Sequence, residues 1–273
     1  LACINMSGTI AEVWWGQLLD RYGEWTIATI GTFIFHESVY FGIYAFFWLL
    51  SIIPANQKYK IQKDKVITLE SHIKCLKRLL VSHFVFQLPM MFVFHYVAPY
   101  IGIRVDHKLP AWSNIIVGTV FSFMVEDFYF YWVHRLLHWG VWYKHIHKIH
   151  HEYQAPIGMA AEYAHPVETL ILGFGTMLGP FLCFDHIFSM YFFLFWRLFQ
   201  TIEHHCAYEY PWSPSKWLPG WSGAQFHDYH HETFSGNYAS SFIIWDWVFG
   251  TDTKYRERLA IRATEQEKKQ KTQ

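Results

Sequence analysis

Charge is scarce in this sequence. Asp, Glu, Lys and Arg make up 16% of its 273 residues, against roughly 25% in ordinary soluble domains. The charge present is balanced, 22 basic side chains against 22 acidic, and this excludes the basic field that nucleic-acid binding requires. Cysteine is scarce too. Cys3, Cys75, Cys183 and Cys206 form neither a paired framework nor a C-x-x-C zinc pattern, which excludes a disulfide scaffold and fits a reducing compartment. No dinucleotide fingerprint is present. The nearest approach, GFGTMLG at 173–179, misses the G-x-G-x-x-G spacing and has no strand before it. Its Gly175 and Gly179 form instead a G-x-x-x-G face suited to close helix packing in lipid, so the chain is not expected to bind a nicotinamide cofactor itself. A basic-then-apolar signal segment with a small-residue cleavage site is also missing.

Apolar and aromatic side chains are abundant, at 52% and 21%, and they concentrate in four stretches. The first, about 25–54, suits one long tilted span or a tight hairpin. His36 and Glu37 inside it must pair or face a cavity at membrane depth. The second and third cover about 79–103 and 112–133. The fourth, about 170–198, is broken by Asp185-His186 and reads as two helices joined by a short turn. The expected fold class is all-α: one multispanning integral membrane domain over 1–273, with a cytosolic helical cap carrying a histidine-rich di-metal site.

Basic residues set the orientation. Lys58, Lys60, Lys63, Lys65, Lys74, Lys77 and Arg78 lie between the first two stretches and place that loop in the cytosol. The later spans then return the chain to the same side at His134 and again at His205, so the segments at about 134–169 and 199–255 are expected to be cytosolic and catalytic. A charged tail, 256–273, ends KKQKTQ. Its Lys269 and Lys271 match a K-x-K-x-x endoplasmic-reticulum retrieval signal, although a solvated basic tail would look the same.

Histidine is the residue in excess. HRLLH places His134 and His138 at i and i+4, one face of a helix. HKIHH places His147, His150 and His151 at i, i+3 and i+4, and HDYHH repeats that spacing with His227, His230 and His231. Each cluster can turn two or three imidazoles toward a common centre. A single H-x-x-x-H pair arises easily, but a repeated H-x-x-H-H does not. Eight histidines are too many for one metal and suit two, and His205 makes a ninth. His145 and His204 read as neighbours, and His72, His83, His95, His107 and His186 as structural. Imidazole alone does not choose among zinc, copper, iron and nickel. Iron is favoured for oxygen activation on a lipid, because zinc lacks redox chemistry. Metal-bound rings need acceptors for their second nitrogen. Asp127, which shares a helical stripe with Tyr131, His134 and His138, is the foremost candidate, followed by Asp228, Glu232 and Asp246. Glu126 lies about 100° round the helix.

The stretches KYKIQKDK (58–65), EDFYFYWVHRLLH (126–138), HKIHHEYQAPIGMAAEYAHPVETLILG (147–173) and HDYHHETFSGNYASSFIIWDWVFGTD (227–252) together resemble the fatty acid hydroxylase/sterol desaturase superfamily, and within it the C-4 methylsterol monooxygenases. The resemblance covers about 25–255. It implies two non-haem irons held by the eight box histidines, with His205 matching a further family histidine. Thr201 stands where some members have another. His165 matches a family histidine that either binds metal, orients a ligand or caps the helix starting near Pro166. It also implies stepwise oxidation of a sterol C-4 methyl to alcohol, aldehyde and carboxylate. O2 and NAD(P)H electrons would be used, delivered by cytochrome b5 and its reductase, and a sterol C-4 decarboxylase would act next. Sterol C-5 desaturases, sterol side-chain hydroxylases and fatty acyl hydroxylases share the histidine spacing. A metal transporter would instead place its site near the bilayer midplane.

Overall fold

The computed structural model describes residues 9–271; Cys3 and the last two positions of the tail motif lie outside them. Every regular element among the described residues is helical, and extended pairing is confined to isolated bridges such as Lys60 with Tyr208. Thr9 starts α1 (Ile10–Thr26) with a capping box: its hydroxyl accepts from Glu12 N, and Glu12 Oε2 accepts from Thr9 N at 2.7 Å. The chain kinks at Gly23 (φ +75°), passes through a π-helical turn at Ile27–Gly31 and continues as α2 (Thr32–Ser51). Hydroxyls take up carbonyls around this wider turn. Thr32 Oγ1 donates to Ala28 O at 3.0 Å and Tyr191 Oη to Ile27 O at 2.8 Å, the kind of local repair that lipid demands. The first apolar stretch is therefore part of one bent helix and not a hairpin.

The second span is α3 (Leu69–Ser82), a π-helical turn (His83–Gln87) and α4 (Leu88–Val97). Its early part is amphipathic: Cys75 and Leu79 are fully buried while Lys74 and Lys77 face outward. Next, α5 (Trp112–Leu137) runs up to the cap, where α6 (Gly140–His145) and two 3-10 turns, His147–Glu152 and Gly158–Glu162, lead into α7 (Pro166–Cys183). A turn at Asp185-His186 joins α7 to α8 (Ile187–His204), as the break in apolarity predicts. His186 caps α8 by accepting from Phe188 N at 3.1 Å.

The G-x-x-x-G face brings α7 onto α5. A Cβ on Gly179 would lie 2.5 Å from Ser122 Cα, and one on Gly175 would enter the Tyr129 ring, so only glycine permits this approach. Among the described residues, four helical segments are long and apolar enough to cross a membrane: Ile10–Ser51, Leu69–Ile101, Trp112–Leu137 and Pro166–Cys183. The protein is thus an all-α, multispanning membrane protein. α8 falls short of that measure because its inner face is polar. Its Arg197 Nη2 lies 2.9 Å from Glu126 Oε1 on α5, both side chains buried. Beyond α8 the chain forms α9 (Gly223–Thr233), α10 (Ile244–Phe249) and the exposed α11 (Thr253–Lys271). Two cores result, one around Phe123, Phe184 and Phe193 in the spans, the other around Tyr40, Leu79, Tyr153 and Ile202 beneath the cap.

Candidate metal centre

Nine histidines converge where these elements meet, in two adjoining groups. The first holds His134, His138, His147, His151 and His230; the second holds His150, His205, His227 and His231. His134 lies in the last turn of α5 and His138 is its C-cap. His205 caps α8. The two H-x-x-H-H clusters behave differently from the single-centre reading of their spacing. HKIHH is a 3-10 turn and not an α-helical face; it sends His147 and His151 to the first group and His150 to the second. HDYHH, on α9, sends His230 to the first and His227 and His231 to the second. Each cluster therefore bridges the two groups, whose rings touch at His151 and His231 with centroids 4.7 Å apart.

The ring nitrogens are sorted by direction. Outward, Nδ1 of His134 meets Tyr238 O at 2.8 Å, His230 meets Gly236 O at 2.7 Å and His205 meets Thr201 O at 2.7 Å. His231 meets Tyr153 O at 3.0 Å and His150 meets Tyr163 O at 3.2 Å. A carbonyl only accepts, so each of these Nδ1 atoms carries the proton and each Nε2 is a bare lone pair. Inward, the Nε2 atoms face one another. In the first group His134–His147 and His147–His151 are 3.0 Å apart and His138–His230 3.2 Å. In the second, His205–His227 are 3.0 Å and His150–His205 3.4 Å apart.

Facing lone pairs repel unless a cation lies between them. Ligands about 2.0–2.1 Å from one metal stand about 3.0 Å apart at a right angle and about 3.4 Å at the tetrahedral angle, which is the spacing found. Burial holds His147 and His230 down at about 3 and His150 at about 4, so the rings are neutral and ready to ligate. This donor set fits transition-metal ions in a site prepared for them.

The acids predicted to support the rings do other work. Asp127 accepts from the backbone N–H of Ser241 (2.6 Å) and Phe242 (3.1 Å) and touches no ligand-type histidine. Asp228 accepts from Gln62 Nε2 at 3.0 Å, and Glu232 is paired with Arg258 at the surface. Asp246 acts one step removed: it accepts from Tyr238 N (2.8 Å) and Ala239 N (2.7 Å), fixing the segment whose Tyr238 carbonyl holds His134. His165 lies outside both groups and caps α7 by accepting from Val167 N at 3.2 Å. His145 is exposed; His204 is buried, and its Nε2 accepts from Gly223 N at the start of α9. Lys269 and Lys271 lie on the exposed end of α11.

The carboxylate that does meet a ligand-type ring is Glu168. Its Oε1 lies 2.7 Å from His147 Nδ1, with both side chains buried. The sequence offered one signal for it, as the only acid in the otherwise apolar 166–183 helix.

Residues 119–251 match the family model described as fatty acid hydroxylase. A Dictyostelium discoideum protein with a provisional methylsterol monooxygenase name is 48% identical over 94% of this chain and 96% of its own length. Methylsterol monooxygenase 2-2 of Arabidopsis thaliana is 42% identical over 93% of this chain and 96% of its own. A very-long-chain aldehyde decarbonylase of Oryza sativa subsp. indica is also 42% identical, over 96% of this chain and 99% of its own. No solved structure matches. With this identity running the length of the chain, and the family match spanning every histidine of both groups, the protein belongs to the fatty acid hydroxylase family of oxidoreductases, alongside the methylsterol monooxygenases.

Proposed function

We propose that this protein is a membrane di-iron monooxygenase that oxidises the C-4 methyl group of 4,4-dimethyl- and 4-methylsterols, stepwise, to alcohol, aldehyde and carboxylate. One observation carries the reading: nine imidazoles, eight of them buried, in groups of five and four with their Nε2 atoms turned inward. His134, His138, His147, His151 and His230 would hold one iron, and His150, His205, His227 and His231 the other. When bound, the irons supply the redox chemistry with O2 that zinc lacks.

The chain's own residues prepare that chemistry. The carbonyls of Tyr153, Tyr163, Thr201, Gly236 and Tyr238 lock the tautomer of five rings. Glu168 accepts from His147 Nδ1 and makes that ring a stronger donor. Burial keeps water and protons from the ligands. A groove of about 770 Å³ lies along α3, within the roughly 300–1,000 Å³ of small-molecule sites; Ile73, Val81, Phe86 and Pro166 give it apolar walls, and Glu70, Lys74, Lys77 and Arg78 line it as well. Its Tyr163 wall is the residue whose carbonyl holds His150, and we assign the groove to the approaching sterol.

Lacking a dinucleotide fingerprint, the chain would draw NAD(P)H electrons through cytochrome b5 and its reductase. The cap would face the cytosol from the endoplasmic-reticulum membrane, and a C-4 decarboxylase would consume the carboxylate. The test is to incubate membranes holding the protein with 4,4-dimethylsterol, NADH and O2, then identify the oxidised carbon. Oxidation at the C-4 methyl is expected; sterol oxidised elsewhere, or not at all, overturns the assignment. The rice relative favours a second reading, a long-chain aldehyde substrate, which hydrocarbon release from such an aldehyde in the same membranes would support.

A further inference from the structure

A second set of metal-type donors meets where the first two spans reach a 3-10 turn of the cap, outside both histidine groups. His36 and Glu37 lie on α2, His83 opens the π-helical turn of the second span, and Glu162 ends the 3-10 turn before Tyr163. Sequence spacing leaves His83 without a partner, but the fold supplies several. Glu37 Oε1 lies 3.0 Å from His36 Nδ1 and 2.8 Å from His83 Nδ1. Glu162 stands behind the two rings, 3.2 Å from His36 Nε2 and 3.0 Å from His83 Nε2, and accepts from Gln87 Nε2 at 2.7 Å. One ligand atom from each of His36, Glu37 and His83 falls within 4.8 Å of the others.

Two arrangements neutralise such a cluster: two imidazoliums against two carboxylates, or one dication with both rings neutral. His83 separates them. Its side chain is fully buried and both its nitrogens lie within 3.0 Å of carboxylate oxygens, yet neither aims an N–H at them. His36, by contrast, hydrogen-bonds both carboxylates. A buried imidazolium here would keep the attraction of the two carboxylates but lack the directed hydrogen bonds that a buried ion pair needs to offset its desolvation well. A ring ligating a shared ion behaves differently. With bonds of about 2.1 Å at a right angle, its neighbouring ligand lies about 3.0 Å away and about 45° off the nitrogen's axis. That is the closeness without alignment seen at His83. π-helical turns also gather at functional sites.

We propose that His36, His83 and Glu37 form a further divalent-cation site, of zinc type, with Glu162 as the carboxylate behind its ligating rings. The full-length protein in detergent, stripped with a chelator and dialysed against Zn2+, is expected to hold one zinc per chain more than Glu37→Gln or His83→Asn. That difference is independent of what the cap histidines bind. Equal zinc content in wild type and both variants overturns the site and leaves an ion-pair quartet. A zinc-edge anomalous map of the wild-type protein tests it without a substitution: density between His36 and His83 is expected, and its absence overturns the proposal.

Discussion

Glu168 touches no inward-facing nitrogen, but on the proposed reading its contact with His147 Nδ1 sets how strongly that ring would bind metal. Burial pushes the Glu168 carboxyl up to about 8; Glu168→Gln keeps the shape but removes the ability to ionise, and such changes behind a ligating histidine typically cost about 10–100-fold in metal affinity or activity. Metal titration and turnover check this, and values within twofold of wild type would contradict it. Proton binding offers a second test. His150 is held at about 4 and His230 at about 3 by burial, whereas an unfolded histidine titrates near about 6.5. The unfolded chain therefore takes up protons first. The contribution of these rings to the stability of the metal-free cap is whole above about pH 6.5 and falls as pH drops toward about 4, against the opposite trend of the buried Glu168 carboxyl, which burial pushes up. Hydrogen exchange in the cap should speed up across that window, and a flat profile counts against neutral buried rings. At this scale six of the nine histidines were legible because a repeated i, i+3, i+4 spacing is rare by chance, and His134, His138 and His205 because they stand at span ends on the same side. The acids were not, because a carboxylate's partner depends on the tertiary path. Asp127 shares a helical stripe with His134 and still faces the backbone of 241–242.

The α5–α7 contact joins the two helices that carry His134 and Glu168 to the cap. Gly179→Val would drive a Cβ against Ser122 Cα, and overpacking of this kind costs about 1–3 kcal/mol. The variant should unfold at lower temperature in detergent, and wild-type thermal stability would show that the helices can part freely. Helices read well from the sequence at this scale, including the Asp185-His186 break and the glycine face. The 3-10 form of 147–152 did not, since H-x-x-H-H spacing suits either helix type and the tertiary demand to serve two groups chose the tighter one. The π-helical turns at 27–31 and 83–87 were likewise hidden, because the hydroxyls that support the first, such as Tyr191, come from distant sequence.

Across the whole molecule, the proposed reading has the sterol reach the histidines by way of the groove beside Tyr163. Val81→Trp would fill the groove beside Tyr163 without touching a ligand-type ring. Sterol turnover should fall at least about tenfold, close to the cost of misplacing a substrate, with metal content unchanged; undiminished turnover would move the entry route elsewhere. The central claim is that the five- and four-histidine groups hold one iron each. Iron analysis of the purified chain tests it most directly. The account predicts about two irons in wild type and about one in either His227→Ala or His230→Ala. A wild-type protein that binds a single iron, or variants that both keep two, would contradict it.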